Sequence, residues 1–389
     1  MKKPIKNLHI LPSLERIGPV QQVLNITSNL DKERFSPTVV AIGEKGWGRY
    51  KTSSFTLESE FRKNNIPIVK LNLKKPWDLI LGMPKIYKAI KDINPDVVNT
   101  HLLRPQVYGR YVTHYMKKPL VSTIHNEEAW VTSRRSIDRF TTFIDTRSLK
   151  HVDGFVAVSQ TVKDFFVKHQ NVDPEKILVI NNGVNMEKFS HWDKRAEMRK
   201  SLHVEDDEIV VATVARIDDQ KDPLELIKGV AKAMKQNDKI RFFYAGYGPM
   251  EEESKKFVEK LGIKDRFTFL GERSDIPDLL SAFDVFVLMS KFEGMPNSLL
   301  EAMSSKIPVI ATAVSGNKIA VTHKKDGLLI PVSDAEALTK AIQWYIDNPD
   351  EKDRLVQTAY ETIHENFSAR AHAKKYGGFF EKLLEDIKN

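Results

Sequence analysis

The chain has no cysteine among its 389 residues. Disulfides, thiol nucleophiles and thiolate metal sites are thereby excluded, in keeping with a reducing compartment. It also lacks any run approaching the roughly 18 uncharged apolar residues of a membrane-spanning helix. The opening "MKKPIKNLHILPSL" has only a short apolar segment, interrupted by His9 and Pro12, and no signal-peptide cleavage pattern. A cytoplasmic location is the expectation. Neither a repeat of solenoid length nor a low-complexity segment is visible. Negative charge is short in one half only: residues 1–183 hold 29 Lys and Arg against 17 Asp and Glu, net +12, which leaves 31 against 35, net −4, for the rest. A basic half favours an anionic partner, and nucleic acid, an anionic membrane or a phosphorylated substrate would each satisfy it.

What is present is 41% hydrophobic and 9% aromatic residues, enough for substantial cores, over a length that favours two domains. Short β-branched runs ("KNLHIL", "SPTVVAI", "DVVNTH", "PLVSTIH", "GFVAVS", "KILVINNG") alternate with amphipathic helical stretches, the pattern of βαβ units and parallel sheets. The pattern restarts after a charged segment with "IVVATVARI", "IRFFYAGYG", "FTFLGE", "DVFVLMS" and "IPVIATA". The expected fold class is α/β, with two doubly wound Rossmann-like domains facing across a cleft. The boundary is placed near Gly183, where "INNGVN" supplies turn chemistry. Domains of 1–183 and 184–365 follow, with a C-terminal helix in 366–389 that can pack back on the first. In such sheets ligands bind beyond the carboxyl ends of the strands.

The stretch "KFEGMPNSLLEAM" occupies that edge, between the strand "DVFVLMS" and a helical run. Gly294 lets backbone approach a ligand, Pro296 suits an initial helical position, and Asn297 or Ser298 could cap free amides. A helix N-terminus is a ready anion site. Glu293 lies just before the helix and Glu301 about one turn inside, so both carboxylates can face one ligand, and their separation suits sugar hydroxyls.

The string "FEGMPNSLLEAM" resembles the E-x7-E signature of retaining GT-B glycosyltransferases of family 4, with Glu293 and Glu301 as its acidic ends. The similarity continues in "VARIDDQKDP", with Arg216 and Lys221 at the two basic positions, and in "YAGYGPMEEE" with Gly246. It implies that Arg216 and Lys221 meet the charge that develops on a departing nucleoside diphosphate. It further implies donor contacts at Gly18, Gly246, Glu272, Arg273 and the run Gly294, Met295, Pro296, Asn297, Ser298 and Leu299. Glu301 would take the ribose, Glu293 the donor sugar, and His125, in "PLVSTIHNEEAW", the transferred sugar across the cleft. His101 and Arg104 end another strand, where acceptor contact and plain packing are equal readings. The chain departs from the family at Gly18-Pro19, where a Gly-Gly loop is common, and at Lys318-Ile319, where Pro-Glu is frequent.

The implied activity is transfer of a sugar, with retention, from a nucleotide diphosphate sugar to an acceptor hydroxyl. A UDP-sugar is favoured over a GDP-sugar, and no metal or other cofactor is required because fixed cations take its place. The basic first domain, with Trp77, Leu79, Ile80, Leu81 and Met83 among lysines, suggests a glycan or glycolipid acceptor at the inner face of an anionic membrane. The same apolar residues read equally as a core helix face. Rival readings are a nucleotide-sugar epimerase or a phosphorylase on this fold, and a noncatalytic nucleotide-sugar-binding protein. Nucleic acid is suggested by charge alone and is not expected as a partner.

Overall fold

The computed structural model describes residues 3–43, 54–73, 79–125 and 136–388, without the side chains of 79–81, 103–106 and 136–142. It divides into two units, Met1–Gly183 together with Ala369–Asn389, and Val184–Ser368. Among the described residues of the first unit the strands are β1 (Ile5–Leu11), β2 (Phe35–Gly43), β3 (Ile68–Leu73), β4 (Val97–His101), β5 (Leu120–Ile124), β6 (Gly154–Ala157) and β7 (Ile177–Val179). Those of the second are β8 (Ile209–Val214), β9 (Ile240–Ala245), β10 (Phe267–Gly271), β11 (Val285–Leu288), β12 (Val309–Thr312) and β13 (Leu328–Ile330).

Both sheets are parallel. Their orders are β3-β2-β1-β4-β5-β6-β7 and β10-β9-β8-β11-β12-β13. In each, the chain reverses direction across the sheet beside its first strand, between β1 and β4 and between β8 and β11. That is the topological switch point, where the loops after two neighbouring strands diverge and leave a crevice. Strands β3 and β13 were not anticipated from sequence. The former is an edge strand whose exposed Lys70 and Asn72 break the apolar run, and the latter is three residues long.

The cores follow from the β-branched runs, which are buried on both faces as a helix-covered parallel sheet requires. In the first unit the helix Ala369–Asp386 lays Ala373, Tyr376 and Phe380 against Val97, Val121 and Val156. Burying a Val or Phe side chain there stabilises by roughly 1.5–3 kcal/mol. Gly183 is fixed there as well, since Gln22 and Asn25 both donate to its carbonyl, at 3.0 and 2.7 Å. No helix among the described residues is long and apolar enough to cross a membrane.

Candidate functional site

In the second unit the loop after β8 and the loop after β11 meet at the switch point. Lys221 Nζ forms an ion pair with Glu293 Oε1, with side chains only 13% and 7% exposed. Ser290 Oγ donates to the same carboxylate oxygen at 2.7 Å. Glu293 Oε2 takes no partner among the described residues, so one edge of the carboxylate is fixed and the other is open to a hydroxyl. The loops are stitched a second time by Gln220, whose carbonyl accepts from Lys291 N at 2.8 Å and whose side-chain amide donates to Phe292 O at 2.9 Å.

Arg216 is held differently. Its guanidinium reaches Asp218 at 2.7 Å and Gln220 Oε1 at 3.2 Å, but the Arg216 side chain is 54% exposed. An ion pair so open to water contributes at most about 1 kcal/mol. Arg216 can therefore exchange Asp218 for a stronger anion at little cost, whereas Lys221 is anchored. The backbone beneath is firmer: Tyr244, buried at the end of β9, donates its hydroxyl to Arg216 O at 3.0 Å. Burial pushes that phenol's pKa upward. Gly246 has φ +147°, and a Cβ there would stand 1.8 Å from Ala215 O. Glycine is needed at Gly246 because the strand end carrying Arg216 lies directly against it.

The helix after the Glu293 loop runs Asn297–Ser304, and its cap position falls on Pro296, with no side-chain acceptor. Pro296 was expected at an initial helical position and Asn297 or Ser298 as a cap; instead Pro296 itself takes the cap position, and Asn297 and Ser298 lie inside the first turn. Amides of that turn have no intrahelical acceptor and mark the positive end of the helix dipole. Met295 and Leu299 are buried, so what they can offer a ligand is backbone. Gly294, Asn297, Ser298 and Glu301 are half-buried along the same edge.

Two further residues support this edge and were not singled out from sequence. Gly316 opens the helix Ser315–Ala320 against the Glu293 backbone, and a Cβ on it would lie 2.5 Å from Glu293 O. Thr312, at the end of β12, accepts from Ser290 N at 2.9 Å and donates to Ser290 O at 2.7 Å. The glycine in "VSGN" was the available signal for the first; nothing local marks the second. Arg273 pairs with Asp275 two residues on, at 2.5 and 2.8 Å, and makes no bond to the Lys221–Glu293 group among the described residues.

In the first unit, Gly18 is exposed and opens the helix Gly18–Asn29, with Pro19 in its first turn removing one amide donor. His125 follows β5, and its Nε2 lies 3.1 Å from Nδ1 of His101, the last residue of β4. Leu102, next in the chain, has φ +65° and ψ 159°, a region that residues other than glycine rarely occupy. Arg104 stands in the helix Leu103–Tyr115, its side chain outside the described residues. Trp77 also lies outside them, as do the side chains of Leu79, Ile80 and Leu81, while Met83 is exposed.

Comparison with known proteins agrees across both units. The model of the family described as Glycosyltransferase Family 4 matches residues 18–188, and that described as Glycosyl transferases group 1 matches residues 194–362. The chain is 30% identical over 292 residues to the UDP-Gal:alpha-D-GlcNAc-diphosphoundecaprenol alpha-1,3-galactosyltransferase of Escherichia coli, covering 74% of this chain and 75% of that one. It is 25% identical over 320 residues to the N-acetyl-alpha-D-glucosaminyl L-malate synthase of Bacillus anthracis, 81% of each chain. Among solved structures, HepE of Anabaena in complex with UDP-glucose matches with a TM-score of 0.82 and 19% identity over 97% of this chain and 100% of that one. The likeness is one of fold, and the fold is the GT-B fold expected from the sequence.

Proposed function

The chain belongs to the Glycosyl transferases group 1 family and is a glycosyltransferase, and we propose that it moves a sugar from a nucleotide diphosphate sugar, with retention, to a hydroxyl of a lipid-linked or cell-surface polysaccharide acceptor. UDP is the preferred carrier. Support for that choice comes from the E. coli relative, which is named for a UDP-Gal donor and a diphosphoundecaprenol-linked acceptor. The observation that carries the reading is the Lys221–Glu293 pair at the switch point, in front of a helix N-terminus.

On this reading Glu293 presents Oε2 to hydroxyls of the donor sugar and Glu301 binds the ribose. The first-turn amides, Arg216 and Lys221 hold the diphosphate. As the glycosidic bond lengthens, charge grows on the departing phosphate oxygen, and cations already in place stabilise that state more than the ground state. The acceptor hydroxyl attacks from the face the phosphate leaves, and the phosphate oxygen takes its proton. Arg216 turns from Asp218 to phosphate, while Lys221 keeps Glu293 oriented and has further N–H donors to offer. Gly18, in the first unit, would give a backbone N–H to phosphate, and His125 a hydrogen bond to a sugar hydroxyl. No divalent ion is required, because the two cations supply the positive charge.

Peripheral attachment to an anionic membrane is part of the proposal. Supporting it, Met83 and Tyr87 are exposed on the helix Leu79–Ile93 beside Lys85 and Lys88, while Ile86, Ala89 and Ile90 form that helix's buried face. Thermal stabilisation against a panel of nucleotide sugars tests the donor reading, since a bound ligand raises apparent stability by mass action. A shift with UDP-sugars, and transfer from the responding sugar that persists in a chelator, is expected. No shift with any member of the panel would remove the donor-site reading.

A further inference from the structure

A line of polar side chains crosses three strands of the first unit. Asn7 Nδ2 lies 3.0 Å from His9 Nε2, His9 Nδ1 lies 3.0 Å from His101 Nε2, and His101 Nδ1 lies 3.1 Å from His125 Nε2. Strand register makes the line: His9 of β1 pairs with Asn99 of β4, and His101 of β4 with Thr123 of β5, so these residues share one face. Neighbouring rings lie 5.3 and 5.4 Å apart, and Phe380 of the Ala369–Asp386 helix lies 6.1 Å from the His9 ring.

His9 and His101 are wholly buried. Desolvation holds the pKa of His9 and of His125 at about 3, and that of His101 well below the ordinary imidazole value, so all three rings are neutral at neutral pH. A neutral imidazole has one N–H and one lone pair. In an unbroken line each ring therefore dictates the tautomer of the next. Asn7 turns its amide nitrogen toward His9 and leaves Oδ1 buried without a partner among the described residues; with that nitrogen donating, His9 accepts at Nε2 and carries its proton on Nδ1. His101 must then accept at Nε2 and donate from Nδ1, and His125 accepts at Nε2. The remaining proton of the line sits on His125 Nδ1, which has no partner among the described residues.

We infer that Asn7, His9 and His101 are positioning residues that lock His125 as the Nδ1–H tautomer, so that it offers a sugar hydroxyl a fixed N–H donor. Sequence spacing hides the device, since His9 and His101 are 92 positions apart. The catalytic consequence rests on the sugar-contact reading of His125; the tautomer does not.

Nitrogen-15 spectra of the histidine-labelled full chain at neutral pH test it, with His125→Gln identifying the His125 signals among those of 11 histidines. The expected wild-type pattern is a protonated Nδ1 and a lone pair on Nε2. A protonated Nε2, or an exchanging mixture, overturns the proposal without any variant. His101→Phe fills the space but cuts the line: His125 should become a mixture, and kcat should fall about tenfold while KM stays within about twofold. His101→Asn, whose amide nitrogen stands near the place of Nδ1, should restore both the tautomer and most of the rate. Asn7→Asp, which as a carboxylate can only accept, should reverse the line and move the proton to Nε2. A His125 tautomer unmoved by both His101→Phe and Asn7→Asp refutes the relay. A tautomer that moves while rates do not keeps the relay and removes the sugar contact of His125.

Discussion

Lys221 and Glu293, 72 positions apart, are joined by an ion pair that bridges the loops after β8 and β11. Removing one member of a buried pair costs about 3–5 kcal/mol, because the other charge is left unpaired. Lys221→Ala should therefore lower the melting temperature and abolish transfer together. Lys221→Ala/Glu293→Ala should recover much of the lost stability and none of the activity. Thermal denaturation beside initial-rate assays separates the two effects, and a double variant no more stable than Lys221→Ala would contradict a buried pair.

Arg216→Ala should behave in the opposite way. Its guanidinium side chain is more than half exposed and screened by water, so stability should change by less than about 1 kcal/mol. Loss of one preorganised donor to a developing charge should lower kcat roughly 10²-fold or more. A large loss of stability with kcat intact would mean that Arg216 is structural.

Gly316→Ala tests how tightly the Glu293 backbone must be held. The new Cβ would lie 2.5 Å from Glu293 O and 2.8 Å from Glu293 Cβ, so the loop has to move. Overpacking of this kind costs about 1–3 kcal/mol. The expected outcome is modest destabilisation with a larger fall in kcat/KM, measured against Gly378→Ala, where a Cβ meets nothing within 4 Å.

What was legible in the sequence was local. The run "IVVATV" reads as β8 because burial on both faces removes any polar alternation, and "FEGMPNSLLEAM" places Glu293 and Glu301 because one loop and one helix contain both. What the sequence hid is set by pairing between distant segments. The Lys221–Glu293 contact depends on Val285 of β11 lying beside Val211 of β8, and the His9–His101 contact on β1 lying beside β4. His9 on its own reads only as an interruption of an apolar run. Gln220 and Ser290 were equally hidden, since polar residues in loops carry no mark of the backbone they hold.

Membrane attachment should depend on charge and on exposed aromatics. Tyr115, 79% exposed, lies 6.2 Å ring to ring from Tyr87 on the neighbouring helix, with Lys117 and Lys118 just beyond it. Vesicles rich in phosphatidylglycerol should sediment the protein at low salt and release it at high salt, since a polybasic surface is screened within a Debye length. Tyr87→Ser/Tyr115→Ser should weaken that binding without altering transfer to a soluble acceptor analogue. If the wild type does not bind such vesicles at any salt concentration, peripheral attachment is removed from the proposed function.

Acid should destabilise the first unit through its buried imidazoles. His9, His101 and His372 are all buried, and desolvation lowers each pKa, to about 3 for His9 and His372. In the unfolded chain these groups titrate near about 6.5. Below that pH the unfolded state binds protons that the folded state refuses, so stability rises with pH across this window. The full contribution is present above about 6.5 and is lost as pH falls toward 3, at up to about 1.4 kcal/mol per pH unit for each group. Urea unfolding followed from about pH 7 down to about pH 5 should show this slope, and His372→Leu should make it shallower. A flat profile would mean that the imidazoles are solvated in the folded protein, and the line from Asn7 to His125 would then lose the neutrality on which its direction depends.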